Sequence, residues 1–297
     1  MGEGIGNYPE TEPRNDYTSR ELLHFFRHDD KEKDPEKSDE HMRLTPSGRI
    51  HAHEQASIDT NINQSVAFGS PRERAQETAG HIMAGGDEQI TGNETLEELK
   101  SKLDAELGVG SKIGSDRRLD FTVTKGTVVG DGCLTAYGEK RTLEWLVNDS
   151  DKLAAENNDT ENTTYSKAAK QVAEIVLKYL KIAPRWDKLV ESGKYNDKTL
   201  ERFLGSHQSI LESFLAKVVE ITKGIEERDR LVGALNKEGF GFSEGFEVEI
   251  RNKGSEQPIL HLKFRRENSD KLDDDPTKTF EFDENIATEV IEQITSD

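Results

Sequence analysis

The apolar positions of this 297-residue chain fall into short blocks with two different rhythms. In the first two thirds they are compact runs set between helical patterns. Leu22-Leu23-His24-Phe25-Phe26 lacks helical spacing and reads as a buried strand that ends at Arg27-His28. Val66-Ala67-Phe68 reads as a second strand. Leu200-Glu201-Arg202-Phe203-Leu204, closing at Gly205-Ser206-His207, reads as a third. Helices are predicted between them. One starts at Thr45-Pro46, an N-cap followed by proline at the first helical position, and runs to about Ile58. Another starts at Ser70-Pro71-Arg72-Glu73, which has the form of a capping box, and continues through Ala79, Ile82 and Met83. Further helices are expected around 96–107, over 136–155, and from Tyr165, where Val172, Ile175, Val176, Tyr179 and Ala183 share a face until Pro184 stops them. Ile210, Leu211, Phe214, Leu215, Val218 and Ile221 carry a strong helical period. The Gly-rich stretch 108–135 suggests short strands near 119–123 and 128–129.

Beyond Gly239 the period changes to two. Phe246, Val248 and Ile250, then Leu260, Leu262 and Phe264, alternate with polar or charged residues and read as paired strands. Phe280 and Phe282 suggest one more strand, and 286–294 a closing helix. Strands separated by helices, with a late group of strands, predict an α/β fold with a mixed sheet. The expected organisation is a polar N-terminal tail (1–18) and one α/β domain (19–297). That domain carries polar insertions at about 29–43 and 108–164, and C-terminal strands plus a helix at about 240–297. Those strands either complete the sheet or serve a homodimer, since an open strand edge invites pairing.

Composition explains the insertions and removes several function classes. Hydrophobic residues make up 32% of the chain; with its 24 glycines added, the apolar share stays below the usual 45–50%. There are 40 Lys and Arg against 59 Asp and Glu, a net charge of −19. So acidic a surface repels phosphate backbones and anionic lipid, which excludes nucleic acid and membrane as expected partners. One cysteine, Cys133, permits no internal disulfide and no Cys-rich zinc site, and it has no basic neighbour to activate it. The sequence shows no long apolar run and no signal-peptide pattern at its first residues, so a cytoplasmic location is expected.

An anion site in such a chain must be a local basic pocket. Three strand ends supply one: Arg27 with His28, Arg74 in the first helical turn after Ser70, and His207 after Ser206. Ligands of open α/β sheets lie outside the carboxyl ends of the strands, where helix N-termini also point. Two guanidiniums and two imidazoles gathered there make a phosphate pocket.

The same residues carry a family resemblance. Phe25-Phe26-Arg27-His28, Leu44-Thr45-Pro46-Ser47-Gly48-Arg49, Ser70-Pro71-Arg72-Glu73-Arg74-Ala75-Gln76-Glu77-Thr78-Ala79 and Ser206-His207 resemble, in order and separation, the histidine phosphatase superfamily, the phosphoglycerate-mutase-like group. The third motif is the most specific, and together they reach from about 22 to 220. The resemblance implies a three-layer α/β/α sandwich with a mostly parallel mixed sheet. It also implies a metal- and cofactor-independent phosphatase acting on a small phosphorylated substrate. His28 would be the nucleophile that becomes phosphohistidine, and Arg27, Arg74 and His207, with the neighbouring Gln208, would hold the phosphoryl oxygens. His28 must attack as neutral imidazole, so its other ring nitrogen should donate to a backbone carbonyl.

Two positions depart from the family. Asp29 stands where glycine usually follows the nucleophile, and a carboxylate there is unfavourable unless it points away. The usual proton-donor Glu is missing; Asp120, in Arg118-Leu119-Asp120-Phe121, is the candidate acid and Asp131 the reserve. A mutase of the same group and a phosphate-ester-binding module without turnover are the alternatives. His28-Asp29 invites a metal-dependent HD reading, but the pair closes an apolar strand rather than lying on a helix. His51 and His53 are two residues apart, so a helix turns them to different sides. His24 lies inside the strand and is read as packing locally.

Overall fold

The computed structural model describes residues 17–56, 60–107, 111–254, 256–266 and 278–296. The strands are β1 (Ser19–Arg27), β2 (Val66–Gly69), β3 (Ile113–Ser115), β4 (Thr199–Ser206), β5 (Gly245–Asn252), β6 (Ile259–Arg266) and β7 (Phe280–Ile286). They form one sheet in the order β3-β2-β4-β1-β5-β6-β7. The β3-β2-β4-β1 half is parallel, and β5, β6 and β7 are added antiparallel. The C-terminal strands thus complete the sheet.

Alternation along the strands sends side chains to two cores, as a two-residue period requires. Phe26, Ala67, Ile113 and Phe203 face α1 (Pro46–Glu54), α2 (Glu73–Ala84) and α3 (Leu96–Leu107). Leu23, Phe25, Leu204, Phe246 and Val248 face the other side. There they meet α7 (Tyr165–Glu191), α8 (Ile210–Lys223), α9 (Ile225–Ala234) and α10 (Thr288–Ser296). The result is a three-layer α/β/α sandwich with a mixed sheet. A small satellite core of Val129, Ala136, Trp145, Leu146 and Ala154 holds together α4 (Val128–Gly138), α5 (Thr142–Trp145) and α6 (Asp151–Asn157), with a π-helical turn at Leu146–Ser150.

Several expectations about local structure are corrected. No strand forms over 119–123 or 128–129. Arg117–Leu119 is a 3-10 turn, and the next backbone N–H groups are satisfied by side chains, Thr122 by Thr163 Oγ1 and Thr124 by Asn162 Oδ1. Val128 opens α4, because Thr127 Oγ1 accepts from Gly130 N at 3.0 Å and caps it. The helix expected over 136–155 is instead divided among α4, α5, the π-helical turn and α6. Helix α1 ends at Glu54, and Ile58 lies outside the described residues.

Pro184 does not stop α7. Beyond it, Trp186 Nε1 donates to Lys198 O at 3.1 Å, and Asp187 Oδ1 accepts from the Thr18 and Ser19 hydroxyls at 2.6 Å each. These anchors offset the hydrogen bond that proline removes. Helix α2 begins at Glu73 with Arg72, not Ser70, as its N-cap; the Ser70 hydroxyl accepts from Arg72 N at 3.2 Å in the turn before the helix and also meets His207.

Candidate active site

The carboxyl ends of β1, β2 and β4 lie side by side, with Arg27 paired to Ser206 and Gly69 to Gly205. Two glycines let the first turn of α2 press against these ends. A Cβ at Gly69 would stand 2.2 Å from Gln76 N, and one at Gly205 only 2.3 Å from Ala75 O. That close approach delivers Arg74 to His28.

His28 is buried, and its backbone N–H donates to Ser206 O at 2.8 Å. Its Nδ1 lies 2.7 Å from the Asp29 carbonyl, which can only accept, so Nδ1 carries the proton and Nε2 keeps its lone pair. Arg74 Nε approaches that lone pair at 3.2 Å. Burial, reinforced by the positive charges of Arg74, Arg27 and Lys31, pushes the His28 pKa down to about 3. The imidazole is therefore neutral at any ordinary pH.

The other predicted residues take distinct positions. His207 packs edge-on against His28, with ring centroids 5.0 Å apart, and its Nε2 lies 2.6 Å from Ser70 Oγ. Burial first, then His28, Arg74 and Arg72, hold its pKa well below the usual value. Its Nδ1 is buried without a hydrogen-bond partner among the described residues. Asp120 Oδ1 sits 3.5 Å from His207 Nε2 and accepts from Arg72 Nε at 2.7 Å. Arg27 is turned along the wall: its Nη1 donates to Phe240 O at 2.6 Å and its guanidinium lies over the Phe242 ring at 4.7 Å. Its Nε has no hydrogen-bond partner among the described residues. Gln208 donates to Glu238 O at 3.0 Å, so its amide is tied to the neighbouring loop. Asp131 accepts from Gly126 N at 2.9 Å and closes its own turn. Just past His207, Ser209 adopts φ 75°, a left-handed turn that a non-glycine residue seldom takes and that recurs at functional sites.

Two residues enter the site that the sequence reading did not single out. Arg72, two positions before Arg74, stacks on Phe121 at 4.4 Å and binds Asp120. Asp39 comes from the polar insertion. Its Oδ2 accepts from Arg74 Nη2 at 2.9 Å and from Arg72 Nη1, and its Oδ1 from Lys31 Nζ at 2.5 Å. Arg74 Nη1 also donates to the Asp39 backbone carbonyl at 2.6 Å. Burial alone would raise the Asp39 carboxyl pKa, but hydrogen bonds from Lys31 and Arg74 outweigh it and hold the group far below the usual carboxylate range. An anion of the chain itself therefore sits on the cationic groups around His28.

Asp29 points away from this cluster. Its carboxylate meets His51 Nδ1 and Ser243 Oγ instead. His53 bonds the Ile90 carbonyl at 2.9 Å, so His51 and His53 share no ligand position. Cys133 is half-buried, and burial pushes its pKa up to about 11, which leaves it an inert thiol.

No family model matches the chain, and no curated protein does. Solved structures do. A mycobacterial glucosyl-3-phosphoglycerate phosphatase is 12% identical and covers 82% of this chain and 96% of its own, with a TM-score of 0.42. A phosphoglycerate mutase from Bacillus anthracis is 12% identical, with 82% and 92% covered and a TM-score of 0.43. A phosphoserine phosphatase variant from Entamoeba histolytica, in complex with phosphoserine, is 16% identical, with 81% and 94% covered and a TM-score of 0.38.

Proposed function

We propose that this protein is a phosphomonoesterase that works through a phosphohistidine on His28. The observation that carries this reading is the anion already bound in the pocket. Two arginines and a lysine hold the Asp39 carboxylate, and one of those arginines, Arg74, also touches the nucleophilic nitrogen of His28. A phosphoryl group seeks the same donors, and Arg74 would be shared between its oxygens and the attacking atom.

The substrate phosphate displaces Asp39 and takes the guanidinium N–H groups. His28 attacks phosphorus through the Nε2 lone pair while the Asp29 carbonyl holds the Nδ1 proton. The bond from phosphorus to the ester oxygen breaks, and that oxygen takes a proton from Asp120, which has taken one up as the substrate phosphate draws Arg72 from it. Water next attacks the phosphoryl group on His28 and gives its proton back to the Asp120 carboxylate; inorganic phosphate leaves, and neutral imidazole returns. Positioning and charge neutralisation supply most of the catalysis in phosphoryl transfer, and this pocket offers both from side chains alone. A cytoplasmic enzyme acting on a small phosphate ester is the setting we propose.

The test is phosphate release from an aryl phosphate in excess chelator, with Arg74→Ala beside the wild type. Turnover that survives chelator and is lost in the variant supports the reading, whereas turnover abolished by chelator contradicts it. A pocket that binds phosphate esters without turnover is the second reading, favoured by the hold of Asp39 on Arg72 and Arg74. It predicts vanadate binding with no phosphate released.

A further inference from the structure

The turn behind the nucleophile is more heavily tied than a turn needs to be. Asp29 is 2% exposed, and every polar group it has is engaged. Its N–H donates to Thr78 Oγ1 on α2 at 3.0 Å. Its carbonyl accepts from His28 Nδ1 at 2.7 Å. One carboxylate oxygen, Oδ1, accepts from Asp30 N at 2.7 Å. The other, Oδ2, lies 2.5 Å from His51 Nδ1 on α1 and accepts from Ser243 Oγ at 2.7 Å. The protonation of His51 follows from its other nitrogen. Gln55 Nε2 lies 3.3 Å from His51 Nε2 and donates to it, so the ring proton is on Nδ1 and points at Asp29.

We propose that Asp29 and His51 form a positioning couple for His28, an inference that rests on the phosphohistidine reading above. The reasoning is geometric. The Asp29 carbonyl sets the rotation of the His28 ring and the nitrogen that carries its proton. The position of that carbonyl depends on where the Asp29 peptide is held. His51 and Ser243 pull the side chain away from the cations, towards α1 and the segment before β5, while Thr78 pins the N–H. The peptide is therefore fixed from three directions, and Nε2 is aimed into the pocket. A glycine at this position would keep the carbonyl but lose the ties through Oδ1 and Oδ2. The same arrangement explains how a carboxylate is tolerated next to an anion site: its charge is absorbed by a donor set on the far side. Asp29 and His51 touch neither Arg74 nor Arg72 in this arrangement, so they act on catalysis through His28.

The test uses the full chain with His51→Ala, Asp29→Gly, the double variant and Asp29→Asn. His51 is partly exposed on a helix that alanine favours, and Ser243 and the Asp30 N–H still hold the Asp29 carboxylate without it, so His51→Ala is expected to disturb the fold least; thermal unfolding of each variant checks this. Long-range 1H–15N spectra of the His28 ring should show one tautomer, protonated at Nδ1, in the wild type and a mixture in His51→Ala and Asp29→Gly. With an aryl phosphate, kcat should fall about tenfold or more in each, because misaiming a reacting atom costs rate rather than affinity, while KM stays within about twofold. The double variant should be no worse than the more impaired single one, since both act through one couple. Asp29→Asn, which keeps the shape of the side chain, should recover part of the loss.

An unchanged His28 tautomer in both single variants would overturn the proposal, as would losses that simply add. The tautomer spectrum needs no turnover. If the wild type released no phosphate, the phosphatase reading would fail while the positioning couple still received its own answer.

Discussion

One strand carries two histidines with opposite fates. His24, in the middle of β1, stacks on Phe203 and lies between two carboxylates, Glu247 at 3.2 Å and Glu201 at 3.6 Å. Burial alone would lower its pKa, but hydrogen bonds and charge from Glu201 and Glu247 reverse that and raise it to about 9. His28, one residue past the end of the same strand, is pushed down to about 3 by burial first, with the charges of Arg74, Arg27 and Lys31 adding to it rather than reversing it. The residue type is the same, and His24 is the more exposed of the two. The sign of the neighbours differs, because mid-sheet neighbours come from adjacent strands whereas the strand end receives α2 and the polar insertion. A histidine held as a cation bridges glutamates of the two adjacent strands; a histidine kept neutral, with Nδ1 on a carbonyl and Nε2 turned to Arg74, carries the lone pair that the proposed attack needs.

The sharpest break of this comparison is substitution at each place. His28→Ala should lower turnover of an aryl phosphate by on the order of 10³-fold or more, and Arg74→Ala should cost about 10²–10³-fold in kcat/KM. Steady-state kinetics at saturating and limiting substrate measures both. His24→Gln should leave kcat within about twofold yet destabilise the fold by about 2 kcal/mol, because it leaves buried carboxylates short of a partner. Denaturant unfolding measures that loss; an inactive but stable His24→Gln protein would contradict the division of roles.

The pH dependence of stability gives the next contrast. Folded His28 stays neutral down to about pH 3, while the unfolded imidazole takes up a proton near pH 6.5. Below that pH the unfolded state binds more protons, so this contribution to stability is lost as pH falls from about 6.5 towards 3. His24 has the opposite sign: its contribution is complete below about pH 6.5 and is lost as pH rises through about 9. Thermal unfolding across that range should therefore lose part of its alkaline decline in His24→Gln and part of its acid decline in His28→Ala. The smallest effect is expected at the insertion. Asp39→Asn removes a competing charge and should tighten inorganic phosphate binding by about three- to tenfold, measured by calorimetry, since one charge-assisted pairing is worth roughly 1 kcal/mol at a partly exposed site.

The parts of this site legible in the sequence were those fixed by strand ends. Arg27-His28, Arg74 and His207 each sit a short step beyond an apolar run, and the adjacent parallel strands gather such ends. Asp120 was reachable through the likeness of Arg118-Leu119-Asp120-Phe121 to the segment that carries the family's acid. Asp39 was not, because the run from Asp29 to Glu40 has the composition of a solvated loop and nothing in it distinguishes the carboxylate that folds back onto Arg74. The orientation of Asp29 was equally hidden, since its partners, His51 and Ser243, are 22 and 214 residues away. Strand β3 is only three residues long, below what alternation can reveal. Pro184 misled for the reverse reason: local chemistry argued for a stop, and contacts of Trp186 and Asp187 with distant segments overrode it.

The central claim is that phosphorus becomes bonded to His28. Rapid quenching of the wild type with a fast aryl phosphate, followed by intact-mass analysis and peptide mapping at alkaline pH, tests it most directly. One acid-labile phosphoryl group on the His28 peptide, absent from His28→Ala, is the predicted result. Phosphate released with no phosphoryl enzyme on that peptide, or release undiminished in His28→Ala, would contradict it.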